Sequence, residues 1–432
     1  MDYGHNSAIY YMNLHTELIR SKFPLEHPLY GRIESLQKAP FLTPAMLAEF
    51  TNTYSFEGST ELEVCPQCFF QTSGTTGRSK KIPYSEQDLE RQKEHEALAF
   101  SIAGMSSEDV VLTLAAPPPS ISAWATINGS RKLGAEVVNT SYFDYEDAIK
   151  IGASRRVTTI FATPIVAQGV GELIQEKYGS IREVFPKLKR GIIFGDVLPP
   201  NLEKKLIELW DFEIRRLYGS VEADVLAIEC GKGKGGLHIM VNKLIFEIIP
   251  EEELKQMREN PYYSPRVKNI FECEDGERGE ILVTDLIRDV LPLIRYRVGD
   301  IVEVHKEKCE CGRETPRIRV LGRAANTVYL EGGPIYEMQL HFALNKTLGF
   351  EYSDWKAYVR GNGTDETFID IWVETKRKFN SDVKEKFLKN LRYICSIKNI
   401  DLAKFVDIKF TDSLSETKIP KADEKSKRII FA

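Results

Sequence analysis

The sequence has no long apolar run, no marked excess of either charge and few cysteines. Its 432 residues carry 58 Lys and Arg against 63 Asp and Glu, so the net charge of −5 gives no overall signature of nucleic-acid binding. No stretch approaches the roughly 18 apolar residues of a membrane span, and the first residues lack a secretion-signal pattern. We therefore expect a cytoplasmic protein without a membrane or nucleic-acid partner. Its seven cysteines are then expected to be thiols or metal ligands.

Hydrophobic residues make up 42% of the chain, which is ample for more than one domain. Between about residues 110 and 320, short apolar runs alternate with amphipathic segments. This alternation predicts an α/β body with largely parallel strands over residues 1–321, including an antiparallel subdomain. After Gly322 the pattern changes to two strand candidates separated by a charged amphipathic helix, which predicts a compact α+β module over residues 322–432.

The predicted elements are short and bounded by polar or glycine-containing turns. The predicted strands are Val110–Leu114, Thr158–Ala162, Gly191–Phe194, Lys243–Ile249, Gly279–Thr284, Phe368–Val373 and Val406–Phe410. The predicted helices are Asp144–Ala153, Leu202–Trp210 and Ser381–Ile397.

The strongest local signal is the segment Thr72–Lys80, which reads TSGTTGRSK. Its glycines let main-chain N–H groups approach an anion, and its hydroxyls and lysine add donors and charge. A Walker loop is disfavoured because Arg78, not lysine, follows Gly77. A flexible surface loop is the alternative for such a segment by itself. The predicted polyphosphate cradle consists of Thr72, Ser73, Gly74, Thr75, Thr76, Gly77 and Lys80.

Further motifs follow this loop in a fixed order: Tyr218–Glu222 (YGSVE), Tyr296–Asp300 (YRVGD), Gly322-Arg323 and a weaker Ile419–Arg428. The ordered set resembles the adenylate-forming superfamily, which includes acyl- and aryl-CoA ligases, luciferase-like enzymes and peptide-synthetase adenylation domains. Within it the set is most similar to the phenylacetate–CoA ligase group. The likeness spans about residues 65–432. It implies a large N-terminal α/β body followed by a small, mobile α+β C-terminal domain.

The resemblance assigns nucleotide roles that the residue chemistry supports. Tyr218 offers a flat ring for stacking on adenine, and Glu222 offers an oxygen ligand for Mg²⁺. Asp300, expected in a Gly-Asp turn, can accept both hydroxyls of a ribose. A core tyrosine, a solvated glutamate and a turn-capping aspartate are the respective structural alternatives.

Two cations toward the C-terminus complete the set that the resemblance implies. Arg323 can pair with ribose or phosphate oxygens, and Lys425 can neutralise charge that builds during adenylation. The sequence departs from the family pattern here, since Ala325 stands where an acidic hinge residue is usual and Glu424 where glycine is usual. Either change bears on rotation of the C-terminal domain and on the second half-reaction.

The adenine and acid pockets are expected around the end of the strand Gly191–Phe194, where ligands bind in α/β sheets. The resemblance places Gly195, Asp196 and Gly219 along the adenine, although the group usually has Gly-Ala-Glu-Pro in place of Gly-Asp-Val-Leu-Pro. Ordinary core packing is the alternative for every pocket residue. The residues assigned to the acid pocket are Trp124, Phe194 and Ala223.

Cysteine and histidine spacing, taken together with the resemblance, predicts a structural zinc site. Cys309 and Cys311 form a C-x-C-G turn, and Cys230 precedes His238 in a glycine-rich segment. Three thiols and one imidazole suffice for a closed tetrahedral Zn²⁺ site, and the resemblance supports these four positions. Free thiols are one alternative. Another is an all-thiolate site made from Cys65, Cys68, Cys309 and Cys311.

The resemblance therefore implies an AMP-forming acid–thiol ligase that uses ATP, Mg²⁺ and coenzyme A. The substrate would be a small carboxylic acid, aryl by subgroup likeness, and the group is compatible with a homodimer. Three alternatives remain open: adenylyl transfer to a deazaflavin hydroxyl, acyl loading of a carrier-protein phosphopantetheine, and a degenerate nucleotide-binding protein.

Overall fold

A computed structural model describes residues 39, 41–53, 66–72, 79–140, 144–232, 235–260, 262–285, 287–330, 332–349, 351–364, 366–379, 382–395, 397, 400–414 and 428–431. The chain divides into two compact units. The first contains residues up to Leu198 together with Lys205–Arg319, and the second contains Pro199–Lys204 and everything from Val320 onward.

The first unit contains a two-stranded hairpin and a sheet of twelve strands, of which the last, β14, continues past Arg319 into residues of the second unit. The antiparallel hairpin is formed by β1 (Cys68–Gln71) and β2 (Lys81–Tyr84). The strands of the large sheet are β3 (Val110–Thr113), β4 (Glu136–Val138), β5 (Thr159–Ala162), β6 (Arg190–Phe194), β7 (Glu213–Ser220), β8 (Asp224–Ile228), β9 (Leu237–Ile239), β10 (Leu244–Pro250), β11 (Lys268–Asn269), β12 (Arg278–Asp285), β13 (Leu293–His305) and β14 (Arg317–Arg323).

The large sheet joins a run of five parallel strands to a longer run of antiparallel strands, so the expectation of largely parallel strands is wrong. Its order is β11-β10-β12-β13-β14-β9-β8-β7-β6-β5-β3-β4, and the strands from β4 to β7 are parallel. All four residues of β5 are buried, as expected for a strand covered on both faces. The predicted α/β fold class is confirmed. The expected antiparallel subdomain is wrong in one respect, because β10 and β12 pair with each other inside the same sheet.

Helices in the first part of the chain connect and cover these strands. They are α1 (Pro44–Thr53), α2 (Glu86–Ile102), α3 (Ser122–Lys132), α4 (Tyr145–Ser154), α5 (Pro164–Tyr178), α6 (Ile181–Val184), α7 (Pro200–Trp210) and α8 (Glu251–Glu259). Helix α2 begins directly after β2, because Ser85 and Asp88 form a reciprocal capping box. None of the described helices is both long and apolar enough to cross a bilayer.

The second unit is an α+β module with its own core. Its four-stranded sheet has the order β19-β18-β17-β20, where β17 is Asp354–Arg360, β18 is Phe368–Glu374, β19 is Val406–Thr411 and β20 is Ile429–Phe431. Alternate residues of β17 and β18 are buried, so one face of the sheet meets the core. The remaining elements are a hairpin of β15 (Val328–Leu330) and β16 (Gly333–Ile335) and the helices α9 (Glu337–Leu348) and α10 (Val383–Cys395).

Candidate functional site

The hairpin of β1 and β2 carries the predicted phosphate loop between its strands. The main-chain N–H of Thr72 donates to the Lys80 carbonyl at 3.0 Å, and the N–H of Lys80 donates to Thr72 Oγ1 at 2.9 Å. The Ser79 hydroxyl also donates to the Thr72 carbonyl at 2.6 Å. These bonds fix both ends of the loop. Five residues of the predicted cradle lie outside the described residues, namely Ser73, Gly74, Thr75, Thr76 and Gly77.

Lys80 and Glu222 form a buried ion pair next to this loop. The Lys80 ammonium lies 2.9 Å from Glu222 Oε1, and the Tyr296 hydroxyl donates to the same oxygen at 3.1 Å. Burial alone would raise the pKa of Glu222, but attraction to the Lys80 ammonium, together with hydrogen bonds from Lys80, the main chain and Tyr296, lowers that pKa below its ordinary value. Glu222 is therefore a carboxylate, held ionised beside a polyphosphate-type loop.

The turn that carries Glu222 is fixed by contacts on both of its flanks. The Tyr84 hydroxyl, at the end of β2, lies 2.9 Å from the Val221 carbonyl oxygen and 2.8 Å from Asp224 Oδ1. The Lys243 ammonium contacts the Asp224 carboxylate. Burial alone would raise the pKa of Asp224, but Lys243 lowers it. The turn is thus tied to the strand that follows the phosphate loop.

Tyr218 and Asp300 are brought together as the motifs imply. The Tyr218 hydroxyl donates to Asp300 Oδ2 at 2.6 Å, and the tyrosine ring is half-buried. The expected Gly-Asp turn is wrong, because Asp300 lies inside the long strand β13. Gly299 has a φ of +85°, which only glycine adopts without strain, so the strand is distorted there instead of ending.

Gly219 is required by a close approach of two main-chain segments. The pairing of β7 with β8 shifts register between Tyr218 and Gly219. A Cβ atom on Gly219 would lie 2.4 Å from the main-chain oxygen of Asp224. Any larger residue would therefore displace the turn that carries Glu222.

Gly195 and Asp196 follow β6 directly and are both exposed. Gly195 has a φ of +86°, and the Asp196 carboxylate accepts the N–H of Val197 at 2.7 Å. They lie at the carboxyl edge of the parallel strands, the edge at which ligands bind in such sheets. Their contact with adenine stays a prediction.

The three residues assigned to the acid pocket differ in exposure. Phe194 and Ala223 are buried, and Phe194 packs in an apolar cluster of the first unit. Trp124, in α3, is half-buried, and its ring centre lies 6.0 Å from that of Phe70 and 5.8 Å from the Lys93 ammonium. Their role in acid binding stays a prediction.

The two C-terminal cations belong to the second unit. Arg323 is exposed and ends β14, and the 3₁₀ turn Ala324–Asn326 follows it. Lys425 and Glu424 lie outside the described residues, so their assignment stays a prediction.

The four predicted zinc ligands lie together around β9 and the segments that follow β8 and β13. Cys230 and Cys309 have their sulfur atoms 3.5 Å apart, and Cys311 Sγ lies 3.3 Å from His238 Nε2. All four ligand atoms lie within 4.8 Å of one another. The second ring nitrogen of His238 lies 3.1 Å from the Thr315 hydroxyl, which orients the imidazole. The donor set and spacing fit a tetrahedral Zn²⁺ site.

The ionisation of these groups also suits metal binding. Burial lowers the pKa of His238 to about 4, with help from Arg317 and Arg313, so the imidazole is neutral at pH 7. Burial would raise the pKa of Cys311, but hydrogen bonds lower it to about 7. Cys68, from the alternative thiolate set, lies on β1 and is not part of the described cluster, and Cys65 lies outside the described residues.

A family comparison matches the part of the chain that holds the phosphate loop, Glu222 and Tyr218. Residues 66–285, just over half of the chain, match the model of the AMP-binding enzyme family. The chain belongs to the AMP-binding enzyme family. Asp300 and the cysteine turn at Cys309 lie beyond the matched residues.

Curated relatives of this AMP-binding enzyme are phenylacetate-coenzyme A ligases. The Thermus thermophilus enzyme is 23% identical over 321 residues, which cover 73% of this chain and 67% of that protein. The Escherichia coli enzyme is 23% identical over 62% of this chain and 58% of its own length. The Pseudomonas putida enzyme is 21% identical over 62% and 57%. The match therefore spans less than two-thirds of the last two relatives.

Solved structures show the same fold at low identity. An open conformation of 2-hydroxyisobutyryl-CoA ligase, in complex with 2-HIB-AMP and CoA, has a TM-score of 0.68 and 16% identity, covering 91% of this chain and 82% of that one. ATP-bound MatB from Rhodopseudomonas palustris has a TM-score of 0.59 and 13% identity, covering 85% and 66%. The predicted membership of the adenylate-forming superfamily is confirmed.

Sequence reasoning missed the residues that support Glu222. Tyr84 stands just past the phosphate loop, and Tyr296 lies within a recognised motif, yet only Asp300 of that motif was assigned a role. Asp224 and Lys243 read as ordinary surface charges in the sequence but are buried. The adjacency of Tyr84 to the loop was a usable signal, whereas the partnership of Asp224 with Lys243 was not visible.

Proposed function

We propose that this AMP-binding enzyme is an ATP- and Mg²⁺-dependent acid–thiol ligase. The observation that carries the proposal is the buried Glu222 carboxylate, paired with Lys80 at the end of the phosphate loop. The Tyr218–Asp300 pair supports it, because β13 supplies both Asp300 and Tyr296, the partner of Glu222. Strand β13 thereby connects the three groups that we propose for nucleotide binding. These are the Tyr218 ring for the base, Asp300 for the ribose and Glu222 for the phosphates.

In the first half-reaction, a carboxylate oxygen of the acid attacks the α-phosphorus of ATP. The bond from that phosphorus to the bridging oxygen breaks, and pyrophosphate leaves with the electron pair. Negative charge spreads over the phosphate oxygens, so catalysis depends on fixed donors and on alignment. We assign this work to the Thr72–Lys80 loop and to Lys425, while Tyr218 and Asp300 hold the nucleoside.

Glu222 is suited to be a ligand of Mg²⁺, because it is an ionised carboxylate next to Lys80 at the end of the phosphate loop. Bound Mg²⁺ would neutralise phosphate charge and hold the polyphosphate in position. In the described structure the Lys80 ammonium neutralises Glu222. Phosphate oxygens would draw this ammonium toward the loop and leave the carboxylate available.

In the second half-reaction, the thiolate of coenzyme A attacks the acyl carbon, the bond to the AMP oxygen breaks, and AMP leaves. The curated relatives, all named phenylacetate-coenzyme A ligases, support coenzyme A as acceptor and an aryl acid as substrate. Trp124, Phe194 and Ala223 are the proposed acid pocket. Gly195, Asp196 and Gly219 are proposed to flank the adenine.

We further propose a mobile C-terminal domain over residues 322–432 that presents Arg323 and Lys425 to an N-terminal domain over residues 1–321. A structural Zn²⁺ on Cys230, His238, Cys309 and Cys311 is supported by the distances within the cluster. Zinc there would tie the turn after β8 to the turn after β13. A reducing, cytoplasmic setting suits these thiols.

The test is pyrophosphate release from Mg-ATP across a panel of aryl and aliphatic acids, each with and without coenzyme A. Acid-dependent release together with a coenzyme A-dependent thioester is the expected result, with aryl acids preferred. The near-isosteric Glu222→Gln variant should lose most of this activity, whereas Glu94→Gln, at an exposed position of α2, should keep it.

Other outcomes of this assay separate the remaining readings. Release without a free thioester would favour a carrier-protein acceptor. No acid-dependent release, with AMP transferred to a phenolic deazaflavin, would favour adenylyl transfer. ATP binding without release under any condition would mean a degenerate protein and would contradict the proposal.

A further inference from the structure

Arg288 is a buried cation that none of the steps above uses. It is 4% exposed and lies in the segment between β12 and β13. Its Nη1 donates to the main-chain carbonyl oxygen of Glu222. The guanidinium also stacks on the ring of Tyr84, with 3.9 Å between its central carbon and the ring centre. One side chain thus contacts both the turn that bears Glu222 and the end of the phosphate-loop hairpin.

The segment that carries Arg288 is itself anchored to α2. The Asp88 carboxylate accepts the main-chain N–H of Asp289 at 2.7 Å and that of Val290 at 3.3 Å. Asp88 is also part of the capping box that starts α2. Because Asp88 fixes the main chain next to Arg288, the guanidinium projects from a supported position.

The contacts on the Glu222 turn fall into two kinds. Lys80 and Tyr296 touch the carboxylate, which must be free to bind a cation. Arg288 and Tyr84 touch the main chain on either side of the Glu222 Cα atom, at the Glu222 and Val221 carbonyls. Movement of Lys80 toward a phosphate would remove its ion pair with the carboxylate and leave both main-chain contacts in place. The main-chain contacts therefore set the direction of Glu222 whether or not nucleotide is bound.

We propose that Arg288 is a positioning residue that, stacked on Tyr84, fixes the Glu222 turn so that the carboxylate faces the metal-bound polyphosphate. This inference rests on the proposed function, because it takes Glu222 as the magnesium ligand. It makes Arg288 act through Glu222 and not on the nucleotide. Removal of a residue that orients a metal ligand typically lowers metal affinity or activity by about 10- to 100-fold.

The test compares Arg288→Met and Arg288→Lys with a matched control, Arg190→Met. Arg190 is a largely buried arginine on β6 that contacts Asp109 and the Thr159 hydroxyl, and these contacts include neither the Glu222 turn nor the segment of Arg288. ATP affinity of the full chain is measured by calorimetry in Mg²⁺ and in EDTA, with no acid present. The double variant Arg288→Met/Glu222→Gln completes a cycle, and circular dichroism checks that each protein is folded.

We expect Arg288→Met to weaken ATP binding about 10- to 100-fold in Mg²⁺ and less than about twofold in EDTA. Arg288→Lys, which keeps a cation but loses the planar stacking group, should fall between Arg288→Met and wild type. Arg190→Met should match wild type. The double variant should bind ATP no more weakly than Glu222→Gln alone. Should Arg288→Met fail to fold, the same comparison is made with Arg288→Lys.

Equal weakening in Mg²⁺ and EDTA would overturn the proposal, as would additive losses in the double variant. Failure of the proposed function would give a different result. Wild type would bind Mg-ATP but release no pyrophosphate with any acid, and the ATP affinities of the Arg288 variants would still test the role of Arg288. Wild-type protein whose ATP affinity is indifferent to Mg²⁺ would overturn both.

Discussion

Replacing Glu96 by Gln is predicted to stabilise the first unit, and to do so increasingly as the pH rises. Glu96 lies on the buried face of α2 and is 4% exposed. Burial and the Asp224 carboxylate raise the pKa of Glu96 to about 8, from an ordinary value of 4.5, and Lys243 offsets part of this effect. The folded protein therefore keeps a neutral carboxyl group under conditions in which the unfolded chain ionises it.

The direction and size of the effect follow from proton linkage. Below pH 4.5 both states hold the proton, so Glu96 adds no pH-dependent term. Above it the unfolded chain loses the proton first, which destabilises the native state until the folded pKa is passed. From pH 4.5 to pH 7, at about 1.4 kcal/mol per pH unit, the cost reaches about 3 kcal/mol. The uncharged amide of the Glu96→Gln variant would carry no such cost.

Stability would be measured by urea unfolding between pH 5 and pH 8, followed by hydrogen exchange of peptides from α2, which report on the first unit alone. The control is Glu94→Gln, because Glu94 is on the same helix with 62% of its side chain exposed. The control should stay within about 0.5 kcal/mol of wild type at every pH. A difference between Glu96→Gln and wild type that is constant across this range would refute the reasoning.

Other predictions concern the nucleotide site and the metal cluster. Tyr218→Phe keeps the ring and should cost less than about threefold in ATP affinity, whereas Tyr218→Ala and Asp300→Asn should each cost tenfold or more, measured by calorimetry. Gly219→Ala should lower the melting temperature and the Mg²⁺-dependent activity, because its Cβ would meet a main-chain oxygen at 2.4 Å, while Gly169→Ala, with open space around it, should do neither. Metal analysis should find about one zinc per chain, and Cys309→Ser should lose both the zinc and thermal stability. Well under one zinc in protein never exposed to chelators would contradict the last prediction.

Part of the secondary structure could be predicted, because buried strands appear as short apolar runs. Gly191–Phe194 differs by one residue from β6, and Lys243–Ile249 is shifted by one from β10. What apolar runs do not encode is which strands share a sheet. The two strands of the expected antiparallel subdomain do pair with each other, but they belong to the large sheet, and this could not be foreseen because strand order depends on contacts between distant residues.

The candidate site could be predicted wherever chemistry is concentrated in a short motif. Among the described residues, Tyr218 lies beside Asp300, Lys80 lies beside Glu222, and the four predicted zinc ligands lie together. Arg288 and Asp88 could not be recognised, because a single charged residue in a sequence is usually solvated. Only the fold shows that both are buried and that Arg288 contacts the turn of Glu222.

The strand order also determines when the large sheet can finish folding during synthesis. Strand β9 pairs with β14 through His238 and Arg317, so a strand made early waits for one made much later. The metal cluster is divided in the same way, with Cys230 and His238 leaving the ribosome well before Cys309 and Cys311. Pairings between such distant segments slow folding and prolong the exposure of unpaired strand edges. The nascent first half is therefore the stage at which chaperones most affect the yield of folded protein.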